Sequence, residues 1–362
     1  MFSVFMRTLV RTPTPVQAVL SCRTPLFMSL PAPYKRAMWV RFPPGAHLLY
    51  SARFNVLSAA SSRKPSMATS TLFPRHARTL LIFLMNCLAV TAAVAQTHKA
   101  VEFNLWANNP PGMVAGATPG ADDGTGRYRN VGIPGLLVYL PATPPPANGR
   151  LALIVCPGGG YTHLTRLVGG DGSVDAFAPK GVAVIVLKYR TQPPSASVDA
   201  DALADGRRAV EFVRNHAKEW GIDPHRIGML GWSAGANLAL NLASHFDGGD
   251  AAAADPVERE SSRPDFVVLL SPWPSRHTVA DYPIAKDAPP AFIASAKDDK
   301  TAPVTFAEAV GASYTKAGAK ASLWIVDTGG HGAFTIGAPG DGGKWIARFW
   351  AWLPGIEGTT GQ

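Results

Sequence analysis

The sequence predicts one α/β domain built on a mostly parallel central sheet with helices on both faces. Three observations predict it. Short, continuously apolar runs rich in Val, Ile and Leu recur after residue 150, separated by longer segments with helical spacing. Apolar residues make up 47% of the 362 residues and charged ones 16%, enough for a sizeable core and too little charge for a disordered chain. Residues 96–362, which carry the pattern, number 267, the size of one α/β domain.

The elements follow in order. Leu151 to Cys156 reads as the first strand, and Val182 to Tyr189 as the next, apolar throughout and so buried on both faces. Asp199 to Trp220 places Leu203, Val210, Val213 and Ala217 at helical spacing with charges between them. Gly221 ends that helix, and Asp223-Pro224 signals a turn. Ile227 to Gly231 is a strand, followed by a helix from Ala234 to His245. Further strands are expected at Phe266 to Leu270, Ala291 to Ser295 and Leu323 to Val326. Helices are expected at Val304 to Lys316 and Lys344 to Leu353. Ala142 to Gly149 is a Pro-rich turn, and Asp247 to Pro264 a polar excursion between helix and strand.

The residues before 96 stand apart. The formal net charge is +9, but residues 1–95 hold eleven Lys and Arg and no Asp or Glu. The remainder has 23 basic and 25 acidic residues, so a nucleic-acid partner or an anionic membrane surface loses its support. From Met67 the pattern is that of a secretory signal peptide. Arg75, His76 and Arg78 form the basic part, Leu80 to Val90 the apolar core, and Ala93-Val94-Ala95 an A-x-A cleavage site. That places residues 67–95 in the signal and the folded protein in the periplasm or outside the cell. Residues 1–66, rich in Arg, Ser and Pro, have the composition of a transit peptide. A signal peptide works only at an N-terminus, which favours Met67 as the start. No apolar run reaches about 18 residues without polar interruption, which argues against a multi-span membrane protein. Beyond the leader only Cys156 remains, so no internal disulfide is expected there.

The chemistry concentrates in Gly231-Trp232-Ser233-Ala234-Gly235, a G-x-S-x-G elbow between a predicted strand and a predicted helix. Such a turn exposes a serine oxygen and crowds the backbone, so its flanks need small residues. A serine hydroxyl needs a base. Of the histidines after Ser233, His245 lies about three turns along the following helix, and His277 sits in a polar loop. His331, between glycines directly after a strand, is placed to present its ring at the sheet edge. Asp298 and Asp299 end another strand; either has the position of the acid that orients the imidazole, and spacing does not choose between them. Pro157-Gly158-Gly159-Gly160-Tyr161 suits an oxyanion loop, with the N–H groups of Gly159 or Gly160 joined by that of Ala234. No Gly-Lys-Ser/Thr follows, which excludes a phosphate loop. Tyr161 and Trp232 are candidate substrate contacts. Trp232 and Trp273 are candidate sugar-stacking faces, with core packing as the alternative. No metal constellation and no cofactor motif is evident.

Together these residues resemble the α/β-hydrolase superfamily, and within it the acetylxylan-esterase and bifunctional feruloyl/acetyl-esterase-like branch. The resemblance runs along nearly all of residues 96–362. It includes Leu105-Trp106, Val138-Tyr139-Leu140-Pro141, Cys156-Pro157-Gly158-Gly159-Gly160-Tyr161 and Val186-Leu187-Lys188-Tyr189-Arg190. It continues through Glu219-Trp220-Gly221-Ile222-Asp223-Pro224, Arg263-Pro264-Asp265-Phe266 and Gly329-Gly330-His331-Gly332. It implies an α/β-hydrolase fold and favours Asp299 as the acid, because the family carries a proline four residues later and Pro303 stands there. It implies a serine esterase acting through an acyl-enzyme on short acyl, above all acetyl, esters of xylan or other carbohydrate, without a cofactor. The sequence departs from the family at Asp171-Gly172, where Glu-Gly is usual, and in the short segment Ser173 to Lys180 with its Pro179. The competing expectations are a prolyl-oligopeptidase-type peptidase, a carbohydrate-binding relative without catalysis, and a lipase.

Overall fold

The computed structural model describes residues 100–357 and, before them, five short strands between Val4 and Ala52. Those strands, Val4–Met6, Val19–Cys22, Thr24–Phe27, Arg36–Arg41 and His47–Ala52, pair among themselves in two antiparallel sheets. The expected signal peptide, residues 67–95, lies outside the described residues.

Residues 100–357 carry an eight-stranded sheet. Its strands are β1 (Val101–Asn104), β2 (Gly135–Tyr139), β3 (Arg150–Cys156), β4 (Ala183–Lys188), β5 (Ile222–Trp232), β6 (Phe266–Leu270), β7 (Ala291–Ala296) and β8 (Ala321–Val326). The order is β8-β7-β6-β5-β3-β4-β2-β1. From β4 through β8 every neighbouring pair is parallel, whereas β2 meets β4 and β1 meets β2 antiparallel. The helices are α1 (Gly172–Phe177), α2 (Val198–Asn215), α3 (Ala234–Ser244), α4 (Val304–Ala317) and α5 (Trp345–Trp352). The fold is that of an α/β-hydrolase.

The continuous apolar runs have a direct structural meaning. Side chains alternate along a strand, so Ala152, Ile154 and Cys156 of β3 enter one core while Leu151, Leu153 and Val155 enter the other. Residues of α2, α3 and α4 complete the first core, through Val210, Leu238 and Val310 among others. Phe177 of α1, with Trp345 and Phe349 of α5, completes the second. Cys156 is fully buried, and burial pushes its thiol pKa well up, as suits an inert core side chain.

Three expectations change. The helix drawn from Asp199 to Trp220 is two: α2 ends at Asn215, His216 leaves helical geometry, and a four-residue turn spans Ala217–Trp220. Asp223-Pro224 is not a turn outside the strand, because β5 begins at Ile222. There Ile222 pairs with Arg150, and a register shift between Arg150 and Ala152 absorbs the residues around Pro224, which has no N–H to donate. The strands β1 and β2 were not drawn: β1 is mostly exposed at the sheet edge, and β2 is a short apolar run of five residues.

Parallel strands all emerge at one edge, and their exits position the site. β3 ends at Cys156 opposite Gly231, β5 ends at Trp232 opposite Leu270, and β7 ends at Ala296 opposite Val326. The glycine loop, Ser233, the Asp298-Asp299 pair and the His331 loop therefore share that edge.

Candidate active site

Ser233 sits between β5 and α3 at φ 57° and ψ −120°, a conformation rarely adopted by a residue with a Cβ. The fold holds it there from several sides. The Ser233 N–H donates to the Leu270 carbonyl at 3.0 Å, and its own carbonyl accepts from Asn237 and from Trp273. The neighbouring glycines leave no space for anything larger. A Cβ at Gly231 would overlap the carbonyl of Gly235, and one at Gly235 would overlap the carbonyl of Cys156. Helix propensity alone favours Gly235→Ala by about 1 kcal/mol. Packing reverses the sign, because the methyl meets backbone that cannot give. Gly235→Ala is expected to cost about 3 kcal/mol or more, read as a lower urea midpoint at constant slope.

The His331 imidazole bridges two groups. Its Nε2 lies 2.9 Å from Ser233 Oγ, and its Nδ1 lies 2.7 Å from Asp299 Oδ2. Exposure falls along this line: the His331 side chain is 23% exposed and that of Asp299 is 0%. The second oxygen of Asp299 accepts from the N–H groups of Thr301 and Ala302, both at 2.8 Å, so the carboxylate is fixed before it meets the ring. The Trp232 indole packs against the imidazole with centroids 5.2 Å apart. Hydroxyl, imidazole and buried carboxylate in this order can remove a proton from Ser233 and hold the resulting imidazolium.

The glycine loop lies directly against the elbow. A Cβ on Gly158 would come within 3.2 Å of Ser233 Cβ. Gly159 takes φ 137°, and a Cβ there would overlap the His163 carbonyl. Among the described residues, none accepts a hydrogen bond from the N–H of Gly159, Gly160 or Ala234.

Asp298 does not touch the imidazole. Its carboxylate accepts from Gly329 and Gly330, next to His331. Tyr161, a candidate substrate contact, is buried beside the glycine loop. It is only 3% exposed, and its hydroxyl donates to Asn237 Oδ1 at 2.9 Å, while Asn237 donates to the Tyr282 hydroxyl at 2.5 Å. Its hydroxyl is bonded inside the protein and ties the glycine loop to α3. Trp232 and Trp273 are half-buried and flank Ser233, packing against opposite cores. His245 lies at the far end of α3, where its carbonyl takes the Arg207 guanidinium, and His277 faces Asp199. Asp327 forms an exposed pair with Lys297. Asn237 was missed by sequence reasoning. Its available signal is a polar residue on a mostly apolar helix, one turn after Ser233.

Among the described residues no group of three or more His, Cys, Asp or Glu is arranged to hold a metal ion, and no helix is long and apolar enough to cross a membrane.

Residues 136–268 match the BD-FAE family model, a span that includes the glycine loop and the elbow and ends before Asp299 and His331. An acetylxylan esterase of Xylanibacter ruminicola is 27% identical over 225 residues, which cover 54% of this chain and 43% of the relative. Endo-1,4-beta-xylanase B of Butyrivibrio fibrisolvens is 30% identical over 180 residues, covering 43% of this chain and 28% of the relative. The chain thus spans less than half the length of either relative. An acetyl ester-xyloside bifunctional hydrolase from Caldicellulosiruptor lactoaceticus superposes with a TM-score of 0.58 at 27% identity, covering 73% of this chain and 98% of that one. The resemblance read from the sequence, to α/β-hydrolases of the acetylxylan-esterase kind, holds in both sequence and structure.

Proposed function

We propose that this chain, an α/β-hydrolase by fold and by relatives, is a serine carboxylic-ester hydrolase that removes short acyl groups, above all acetyl, from carbohydrate. The observation that carries the reading is the line from Ser233 through His331 to Asp299, at 2.9 and 2.7 Å, beside a strained elbow. Ser233 Oγ attacks the ester carbonyl while His331 Nε2 takes its proton. Asp299 keeps the imidazole oriented and stabilises its cation. The N–H groups of Gly159 or Gly160 and of Ala234 receive the oxyanion. Collapse expels the alcohol, which His331 protonates. Water then attacks the acyl-enzyme by the reverse proton path, releasing the acid and restoring Ser233. Each step needs only groups on the chain and a water, so no cofactor enters.

The acyl and alcohol preferences rest on separate features. The carbohydrate reading is supported by the acetylxylan esterase among the relatives and by the two indoles flanking Ser233. A lipase needs a movable apolar cover, and the 247–264 excursion is tied down. Ser262 Oγ accepts from the Asp247 N–H at 2.8 Å, and Asp255 pairs with Arg208 of α2. The leader pattern supports export to the periplasm or beyond.

The test is turnover of nitrophenyl acetate, butyrate, octanoate and an anilide, beside acetate release from acetylated xylo-oligosaccharides. Expected are hydrolysis of acetate, a steep decline beyond butyrate, and acetate release from the oligosaccharide. Trp273→Ala is expected to lower the oligosaccharide-to-nitrophenyl selectivity by about 10-fold, through loss of a stacking face. Faster octanoate than acetate turnover would make the protein a lipase, and preferential anilide cleavage a peptidase. Oligosaccharide binding without turnover would make it a binding protein.

A further inference from the structure

We propose that Asp298 is a positioning residue for the same reaction: its carboxylate clamps the loop that carries His331, so the Asp298-Asp299 pair holds both the imidazole and its backbone. The inference rests on the esterase reading of this site.

The geometry is bidentate. Asp298 Oδ1 accepts from the Gly330 N–H at 2.7 Å, and Oδ2 accepts from the Gly329 N–H at 3.1 Å. These are the two residues before His331. Both take positive φ, 125° at Gly329 and 58° at Gly330, which turns successive N–H groups toward one carboxylate. Two consecutive glycines restrict the backbone before His331 less than other residues would. It also lies past the last β7–β8 pair, Ala296 with Val326, so no sheet hydrogen bond restrains it. Asp299 fixes only the ring. A ring held at one nitrogen still swings with its backbone, and the 2.9 Å approach to Ser233 depends on where that backbone stands.

The charge state suits a permanent clamp. The N–H groups of Gly330 and then Gly329 hold the Asp298 carboxyl below the usual carboxylate range. A pKa lowered by folding means that the interaction is fully present above the unfolded value, about 3.9. It is lost only as pH falls through the still lower folded value. The clamp is therefore closed at neutral pH. Asp298 is also solvent-exposed, so its bonds contribute little to global stability. That separates positioning from folding.

Asp298→Ala and Asp298→Asn, made in the full chain, test the proposal. Asp298→Ala is expected to lower kcat for nitrophenyl acetate by about 10- to 100-fold, the scale of a displacement near 1 Å. KM should stay within about twofold, because the imidazole acts in the transition state. The thermal midpoint should fall by a few degrees at most. Asp298→Asn keeps one acceptor oxygen and is expected to recover part of the loss. A second readout is independent of turnover: the strongly downfield proton of an imidazole N–H bound to a carboxylate. It should be sharp in the wild type, broadened in Asp298→Ala and intermediate in Asp298→Asn. An unchanged kcat together with an unchanged resonance in Asp298→Ala would overturn the proposal. So would a loss of rate that vanishes once corrected for the folded fraction. If the wild type hydrolyses no ester yet the resonance responds as described, the clamp stands and the esterase reading falls.

Discussion

Ser233→Ala is expected to lower kcat/KM for an acetate ester by about 10⁴-fold or more, with the protein still folded. The hydroxyl is the one atom of the elbow within reach of His331 Nε2, and nothing adjacent on the chain can replace it as a nucleophile. In the proposed mechanism, the residual rate is what the N–H groups of the glycine loop and Ala234 supply to a water attack. Stability gives an independent check on the elbow. Alanine keeps the Cβ and so keeps the cost of φ 57°, and Ser233→Ala should unfold close to the wild type. Ser233→Gly removes that Cβ and is expected to gain about 1 kcal/mol while being equally inactive. Urea unfolding of the three proteins, beside single-turnover acetate release, measures both effects. Equal rates for wild type and Ser233→Ala would remove the elbow from the chemistry and leave binding as the leading role.

Asp299→Asn is expected to lower kcat by about 10⁴-fold at neutral pH, far more than the same change at Asp298. The two residues are adjacent and the substitution removes the same charge, so environment decides the difference. Asp299 is fully buried, and one oxygen is already occupied by Thr301 and Ala302 N–H groups. An asparagine satisfies those two donors with its oxygen, which turns its NH₂ toward His331 Nδ1. Nδ1 must then accept a hydrogen bond, and the proton moves to Nε2. That tautomer cannot take the proton of Ser233. Rates measured from pH 5 to 10 for Asp299→Asn and Asp298→Asn check the contrast. Equal losses in the two variants would mean that neither carboxylate sets the tautomer.

Much of this was legible in the chain. The inner strands β3, β4, β6 and β7 were visible because a strand covered on both faces is apolar at nearly every position. The elbow was visible because its geometry admits almost no side chains around Ser233, so a sterically necessary pattern became a sequence pattern. His331 followed from chain order and its flanking glycines. The antiparallel strands β1 and β2, the break at His216 and the start of β5 at Ile222 were not legible. Each depends on a partner distant in sequence, as when Arg150 pairs with Ile222. Tyr161 illustrates the same limit. Its place beside the glycine loop suggested a substrate contact, and only packing shows its hydroxyl held by Asn237, 76 residues away.

The sequence by itself determined the alternation of strand and helix, the turn that carries Ser233 and the histidine that meets it. These are local properties, written in apolar periodicity and in the absence of side chains where backbone must pass. Spacing left open which of two adjacent aspartates meets the imidazole; the family resemblance favoured Asp299, and the tertiary structure shows the contact. Consecutive residues at a strand exit point in different directions, and the ring and the glycine N–H groups approach from β8, about 30 residues further along the chain. Spacing says nothing about which direction faces that strand. The folded contacts do: Asp299 meets the ring and Asp298 the loop.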